Sequence, residues 1–302
     1  MKLDVMLVIQ RVLELSGRLM LPNQSNMMSV GKLRYIQSVY EAPEYRNPDK
    51  LIRDFLPPVL RWICMLQAKM RLSNLRLNPF YYYLIARTIY YDQVFIDAMC
   101  GNIKYIINIG CGSDTRAYRF IQDLKQNEIN VIECDQPQSI FIKQQLAERK
   151  WRTDNITYVS IDLNAASWRD LEYRLAEIPS TVLVMLEGVS PYIDEESFNR
   201  FLNFIAVKLH VGSRIAYDYK IRGVADDFGS GGRTRRPFRL PATKKDIIAY
   251  HEALGYKLEH MELSSELSSR LLPNLVRSCA CLFTEDCLLK LTVAKKIKRP
   301  TF

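Results

Sequence analysis

Histidine is scarce and cysteine is scattered. The three histidines, His210, His251 and His260, stand far from metal-ligand spacing to any of the seven cysteines, and no Cys-x-x-Cys occurs. A structural zinc site is therefore not expected, and no metal cofactor is. An odd number of dispersed thiols fits reduced cysteines in a cytoplasmic protein. Glycine (12) and proline (13) are too sparse for a collagen-like or low-complexity chain. No apolar run nears the roughly 20 residues of a membrane-spanning helix. The stretch from Leu3 to Leu21 is rich in apolar residues but interrupted by Asp4, Gln10, Arg11, Glu14 and Arg18. That spacing predicts an amphipathic helix docked on the protein's own body, and no small-residue cleavage site follows it.

What remains is the composition of a folded protein. The 302 residues are 48% hydrophobic and 25% charged, and 42 Lys+Arg against 33 Asp+Glu leave a net charge of +9. The excess is diffuse except at Arg233, Arg235, Arg236 and Arg239, and no nucleic-acid recognition module accompanies it, so no nucleic-acid partner is expected. The first hundred residues predict helices at Leu3–Met20, around Met28–Tyr40, over Asp49–Leu75 with a break at Pro57-Pro58, and at Tyr81–Met99. After Gly101 the rhythm changes. Strands are predicted at Tyr105–Ile109, Asn130–Cys134, Thr157–Ile161, Val182–Leu186 and Arg214–Tyr217. Between them lie helices at Arg116–Leu124, Gln138–Glu148, Ser167–Leu175 and Glu195–Leu209. Such alternation predicts an α/β fold, a parallel sheet with helices on both faces. Gly223–Pro241 is predicted as a long exposed basic loop. A helix at Lys244–Leu254 and strands at Tyr256–Leu263 and Leu288–Val293 follow.

The main chemical signal is Gly110-Cys-Gly112-Ser-Asp114, between an apolar strand and a helix start. Glycines there let the backbone turn tightly and approach a ligand. The dinucleotide fingerprint needs a third glycine where this chain has Thr115, and Asp114 places negative charge where a pyrophosphate would sit. Both features favour S-adenosylmethionine, which carries a sulfonium and an ammonium but no phosphate, over a dinucleotide oxidoreductase. Asp135 follows the second strand at the interval of a ribose-gripping acid. Asp162 and Glu187 end the next two strands, so Gly110, Asp135, Asp162 and Glu187 are expected to converge outside the carboxyl ends of a parallel sheet. Arg87, in an aromatic helix, needs an anionic partner; the cofactor carboxylate is one candidate, and Asp92 or another acid is the alternative.

These residues resemble the leucine carboxyl methyltransferase superfamily. The resembling pieces, in the family's order, are Ala86-Arg-Thr88 with Asp92, Asn108-Ile-Gly-Cys-Gly-Ser-Asp-Thr-Arg-Ala-Tyr-Arg119 and Glu133-Cys-Asp-Gln-Pro137. Ser160-Ile-Asp-Leu163, Glu187-Gly-Val-Ser-Pro-Tyr192 and Tyr217-Asp-Tyr219 complete them. The resemblance implies a seven-stranded, Rossmann-like class I methyltransferase sheet with one antiparallel strand near the edge. Residues 1–100 would form helical additions covering the pocket, and residues 101–302 the core, with the basic loop at 223–241. It implies that Arg87 binds the methionine carboxylate, Gly110 and Gly112 back the methionine portion, and Asp135 holds the ribose. Asp162 and Leu163 would flank the adenine, and Glu187 would face the amino group.

The Asp-Thr-Arg-Ala-Tyr-Arg continuation is similar to the polyketide O-methyltransferase branch, and the chain is similar overall to cyanobacterial enzymes of microcystin-type pathways. The implied acceptor is a hydroxyl of a polyketide or peptide–polyketide, free or carrier-bound. A protein C-terminal carboxylate is the alternative. A hydroxyl needs a proton acceptor, whereas a carboxylate does not. Asp218, His251 and Tyr192 are the candidate bases, and the sequence assigns none of them.

Overall fold

The computed structural model describes residues 22–151, 154–165, 168–224, 236–274 and 282–295. The predicted helix Leu3–Met20 lies outside these residues, as do Arg233 and Arg235 of the basic loop. Three long helices precede the sheet: α1 (Pro22–Tyr40), α2 (Pro58–Arg76) and α3 (Pro79–Met99). Proline at the first position starts both α2 and α3, where its missing N–H costs nothing. Asn78 caps α3, its side chain accepting from Phe80 N at 3.0 Å. Pro57-Pro58 marks a true break, separating a short 3-10 turn at Leu51–Phe55 from α2.

The strands are β1 (Tyr105–Ile109), β2 (Asn130–Asp135), β3 (Ile156–Ser160), β4 (Val182–Leu186), β5 (Arg214–Ile221), β6 (Arg239–Leu240), β7 (Tyr256–Leu263) and β8 (Asp286–Val293). Seven form the continuous order β3-β2-β1-β4-β5-β8-β7, with β8 antiparallel to both neighbours. The two-residue β6 is an addition to the expected seven. It pairs with Lys220 and Ile221 of β5, beyond the last β4 partner at Tyr217, so the predicted loop Gly223–Pro241 returns to the sheet before it ends. β3 begins one residue earlier than its apolar pattern suggested. The predicted helix Arg116–Leu124 is two short helices, α4 (Arg116–Arg119) and α5 (Ile121–Gln126), interrupted at Phe120, whose φ and ψ are −102° and 20°.

Alternation along the strands sorts the core into two layers. Ile106, Val131, Leu183 and Met185 pack with Tyr91, Phe95 and Ala98 of α3. Ile107, Ile132, Val184 and Ile215 face Phe198, Phe201, Leu202 and Ile205 of α8 (Glu195–Lys208), which follows α6 (Pro137–Glu148) and α7 (Arg169–Ala176). All five residues of β4 are buried, which places it at the centre. The strand order reverses between β1 and β4, and in such sheets ligands bind outside the carboxyl ends at that reversal.

His251 belongs to this core. It lies on α9 (Lys244–Ala253) and is fully buried. Its Nδ1 hydrogen-bonds Ile247 O at 2.6 Å, which leaves Nε2 to accept from Tyr217 Oη at 2.7 Å. Burial pushes the imidazole down to about 4, only partly offset by the bond to Ile247. The folded state holds His251 neutral while the unfolded chain protonates it near 6.5. Its contribution is therefore complete above that value and is lost as pH falls toward 4. Urea unfolding should show on the order of 2–3 kcal/mol lost across that window, with a shallower slope in His251→Gln. Equal slopes in the two proteins would contradict this account.

Candidate active site

The glycine turn after β1 has a steric cause. Gly110 has φ +64° and Gly112 +40°, both left-handed, and a Cβ on Gly110 would lie 2.4 Å from Val189 Cγ2. The turn brings Gly112 N to Asp135 at the end of β2, donating to Oδ2 at 2.7 Å, while Gln136 N donates to Oδ1 at 2.7 Å. Burial pushes the Asp135 carboxyl up; the two N–H bonds and the Lys143 charge hold it back. Each Asp135 oxygen keeps a second lone pair for a ligand hydroxyl. Beneath the turn, Lys143 Nζ stands 2.8 Å from Glu133 Oε1, and Tyr118 Oη donates to Glu133 Oε2 at 2.6 Å.

Beside the turn lies a buried ion cluster that tertiary structure alone assembles. Arg116 is 1% exposed. Its Nε donates to Asp92 Oδ1 at 2.7 Å, its Nη1 to Asp114 Oδ2 at 2.6 Å and Glu187 Oε2 at 2.7 Å, and its Nη2 to Thr88 O at 3.1 Å. Asp114 Oδ1 also accepts from the backbone N–H of Arg116, the first residue of α4, at 2.8 Å. Arg34 of α1 pairs with the other oxygen of Glu187. Burial by itself would raise Asp114 and Glu187. Arg116 reverses this for Asp114, and Arg34, Arg116 and Arg87 do so for Glu187, leaving both below the usual carboxylate range.

Arg87 is differently placed. Its guanidinium lies 5.6 Å from the Phe80 ring centre and 5.7 Å from that of Tyr83, and a Cβ on Gly188 would meet it at 3.2 Å. Its ion pairs are loose, 3.3 Å to Glu187 Oε1 and 3.6 Å to Asp218 Oδ2, and its buried Nε makes no hydrogen bond. The acids beside it are therefore Glu187 and Asp218 and not Asp92, which Arg116 and Arg119 occupy. A buried guanidinium with N–H groups to spare fits an incoming carboxylate.

These groups line one cavity of about 920 Å³ at the sheet reversal. Arg87, Gly110, Gly112, Asp135, Leu163 and Glu187 all lie on its wall. Asp162 does not. Its exposed carboxylate turns back to accept from Asn164 N at 3.0 Å, and its carbonyl accepts from Trp168 Nε1 at 2.9 Å, so it closes the turn after β3. Of the candidate bases, Asp218 and Tyr192 line the cavity and His251 does not. Sequence reasoning missed Arg34, Lys220 and Asp286, all lining residues, and the ion-pair role of Arg116. No helix among the described residues is long and apolar enough to cross a membrane.

The reversed sheet order with antiparallel β8 is that of a class I, Rossmann-like methyltransferase, and the family and relatives the chain matches make it S-adenosylmethionine-dependent. The chain belongs to the leucine carboxyl methyltransferase family, whose profile matches residues 33–206. A Mycolicibacterium smegmatis protein named as an S-adenosyl-L-methionine-dependent methyltransferase is 28% identical over 241 residues, covering 72% of this chain and 76% of its own. A protein so named from Mycobacterium ulcerans is 26% identical over 251 residues, 77% and 81% of the two chains. The crystal structure of a protein named as a methyltransferase from Thermobifida fusca shares the fold, with a TM-score of 0.51 and 9% identity over 88% of this chain and 94% of that one.

Removing the Arg116 guanidinium leaves Asp92, Asp114 and Glu187 buried without their shared cation. Arg116→Met should lower unfolding stability by about 3–5 kcal/mol in urea titrations. A loss below about 1 kcal/mol would show that the neighbouring arginines re-pair with these acids.

Proposed function

We propose that the protein is an O-methyltransferase acting on a hydroxyl of a polyketide or peptide–polyketide natural product, free or carrier-bound. When bound, S-adenosylmethionine supplies a methyl group activated by its positively charged sulfur. Arg87 would hold its carboxylate and Glu187 its amino group. Gly110 and Gly112 would back the methionine portion, Asp135 would hold the ribose, and Leu163 would lie against the adenine. Asp162 enters only through its backbone turn. The protein's remaining tasks are to orient the acceptor and exclude water.

The observation that carries the hydroxyl reading is the charge balance at the far end of the cavity. Lys220 Nζ lies 2.8 Å from Asp286 Oδ1 and 3.0 Å from Glu285 Oε2, and Arg87 would be taken by the cofactor carboxylate. A carboxylate acceptor, ionised at pH 7, would enter against these acids with no unmatched cation to receive it. A neutral hydroxyl enters without that cost. Phe80, Phe283, Tyr192 and Ile193 supply the apolar wall a reduced carbon skeleton needs, and about 920 Å³ is ample for cofactor and acceptor together.

Calorimetric titration with S-adenosylhomocysteine should show binding that Arg87→Ala and Asp135→Asn each weaken at least tenfold, about 1.4 kcal/mol. No binding to the unaltered protein would sink the cofactor assignment. With a methyl-labelled donor, hydroxylated polyketides and peptides with free C-terminal carboxylates should be offered side by side. A product stable to mild alkali is an ether and supports the proposal; an alkali-labile ester would establish the carboxyl-methylating alternative.

A further inference from the structure

The cavity's buried carboxylates are nearly all committed. Glu187 and Asp114 are held by arginines, Asp135 by two backbone N–H groups, and Asp286 lies 2.8 Å from Lys220. Asp286 Oδ1 makes no hydrogen bond but faces the Lys220 ammonium directly; Asp218 has only the looser Arg87. Asp218 sits on β5, 1% exposed, on the cavity wall. Its Oδ1 accepts from Tyr91 Oη at 2.8 Å and from Gly188 N at 2.7 Å, which fixes the plane of the carboxylate. Its Oδ2 is buried, accepts no hydrogen bond, and has the Arg87 guanidinium 3.6 Å away. A buried acceptor left unsatisfied is costly, so the arrangement awaits a donor.

We propose that Asp218 hydrogen-bonds the acceptor hydroxyl through Oδ2 and takes its proton during methyl transfer. The inference rests on the hydroxyl-methylating reading above. The O–H bond breaks and its proton goes to Asp218 Oδ2. The oxygen's electron pair forms the bond to the methyl carbon, and the pair of the broken carbon–sulfur bond stays on sulfur.

The groups around Asp218 suit this task. α3 presents Arg87, Tyr83, Tyr90 and Tyr91; β8 presents Asp286; Lys220 lies two residues along β5 itself; Glu187 shares Arg87 with it. Burial raises the carboxyl, Arg87 opposes, and Asp286 raises it further, to about 6. Such a group is ionised near neutrality yet holds a proton better than an ordinary carboxylate, the compromise a general base requires. Tyr91 and Gly188 keep Oδ1 occupied, so the proton has one destination.

Two cofactor analogues test this without knowledge of the acceptor. Sinefungin replaces the methylated sulfur by a carbon that bears an ammonium where the transferable methyl group would lie; S-adenosylhomocysteine has a bare sulfur there, and the remainder of the two molecules is shared. Calorimetry on the full chain should find that Asp218→Asn weakens sinefungin by about tenfold or more while S-adenosylhomocysteine changes less than about threefold. In the unaltered protein, the preference for sinefungin should fall by about tenfold between about pH 8 and about pH 5 as Asp218 is protonated. This second measurement decides the matter should the variant fold poorly. Equal weakening of both analogues would place Asp218 at the shared amino group and overturn the proposal, as would a preference insensitive to both pH and substitution. Failure of both analogues to bind the unaltered protein removes the cofactor assignment and the proposal with it. Formation of esters alone, with the sinefungin preference intact, would refute the hydroxyl acceptor while leaving Asp218 at the transfer position.

Discussion

The buried guanidinium of Arg116 is the interaction on which the site depends. It ties three parts of the chain that share no sequence neighbourhood: Asp92 and the Thr88 carbonyl on α3, Asp114 in the glycine turn, and Glu187 at the end of β4. Desolvating one arginine and three carboxylates is unfavourable, and the cost is tolerable only because most of the hydrogen-bonding capacity is satisfied. The consequence is rigidity. The turn cannot shift relative to the central strand without separating buried charges. The N-terminal helices are therefore structural members of the pocket, for α1 and α3 supply Arg34 and Arg87 to its wall, and α3 supplies Asp92 to the ion cluster behind it.

The sheet determines where this cluster must lie. At the reversal between β1 and β4, the connections leave on opposite faces and open a crevice at the strand ends. Gly110 closes one side of that crevice, pressed so closely on Val189 that no side chain fits. Asp135 lies one strand away, tethered to the same turn by its bond to Gly112. The antiparallel β8 follows Phe283 and Glu285 and carries Asp286, bringing a second group of charges to the far end. One contiguous cavity thus runs from Asp135, past Arg34 and Arg87, to an aromatic and acid-lined chamber.

Much of this was legible in the sequence. Apolar runs bounded by turn residues located β1 and β4 to the residue, and Gly-Cys-Gly between strand and helix located the turn. The limits were set by what single-chain patterns encode. Ile161 extends the apolar run of β3, and its N–H still bonds Asp135 O at 2.8 Å, so the strand end had no compositional mark. A carboxylate after a strand is visible, but the direction of its side chain is not. Asp135 turns to the cavity and Asp162 turns back on its own loop, though both occupy equivalent sequence contexts. Arg34 could not have been found, because its partner Glu187 is 153 residues away and nothing in its own helix distinguishes it from a surface arginine.

Comparison of Asp114 with Asp218 explains how one cavity keeps carboxylates in different states. Both are fully buried, and burial pushes both upward. Asp114 receives a direct guanidinium contact at 2.6 Å and a backbone N–H, and stays firmly ionised. Asp218 sees its guanidinium only at 3.6 Å, shares it with Glu187, and faces a second acid in Asp286. Proximity to cation decides the difference, since burial is common to both. Arg34, Arg87 and Arg116 all meet at Glu187, whereas Asp218 and Asp286 have between them only Lys220 and the far side of Arg87. The supply of cations, and not depth in the fold, therefore sets Asp114 and Asp218 apart on one wall.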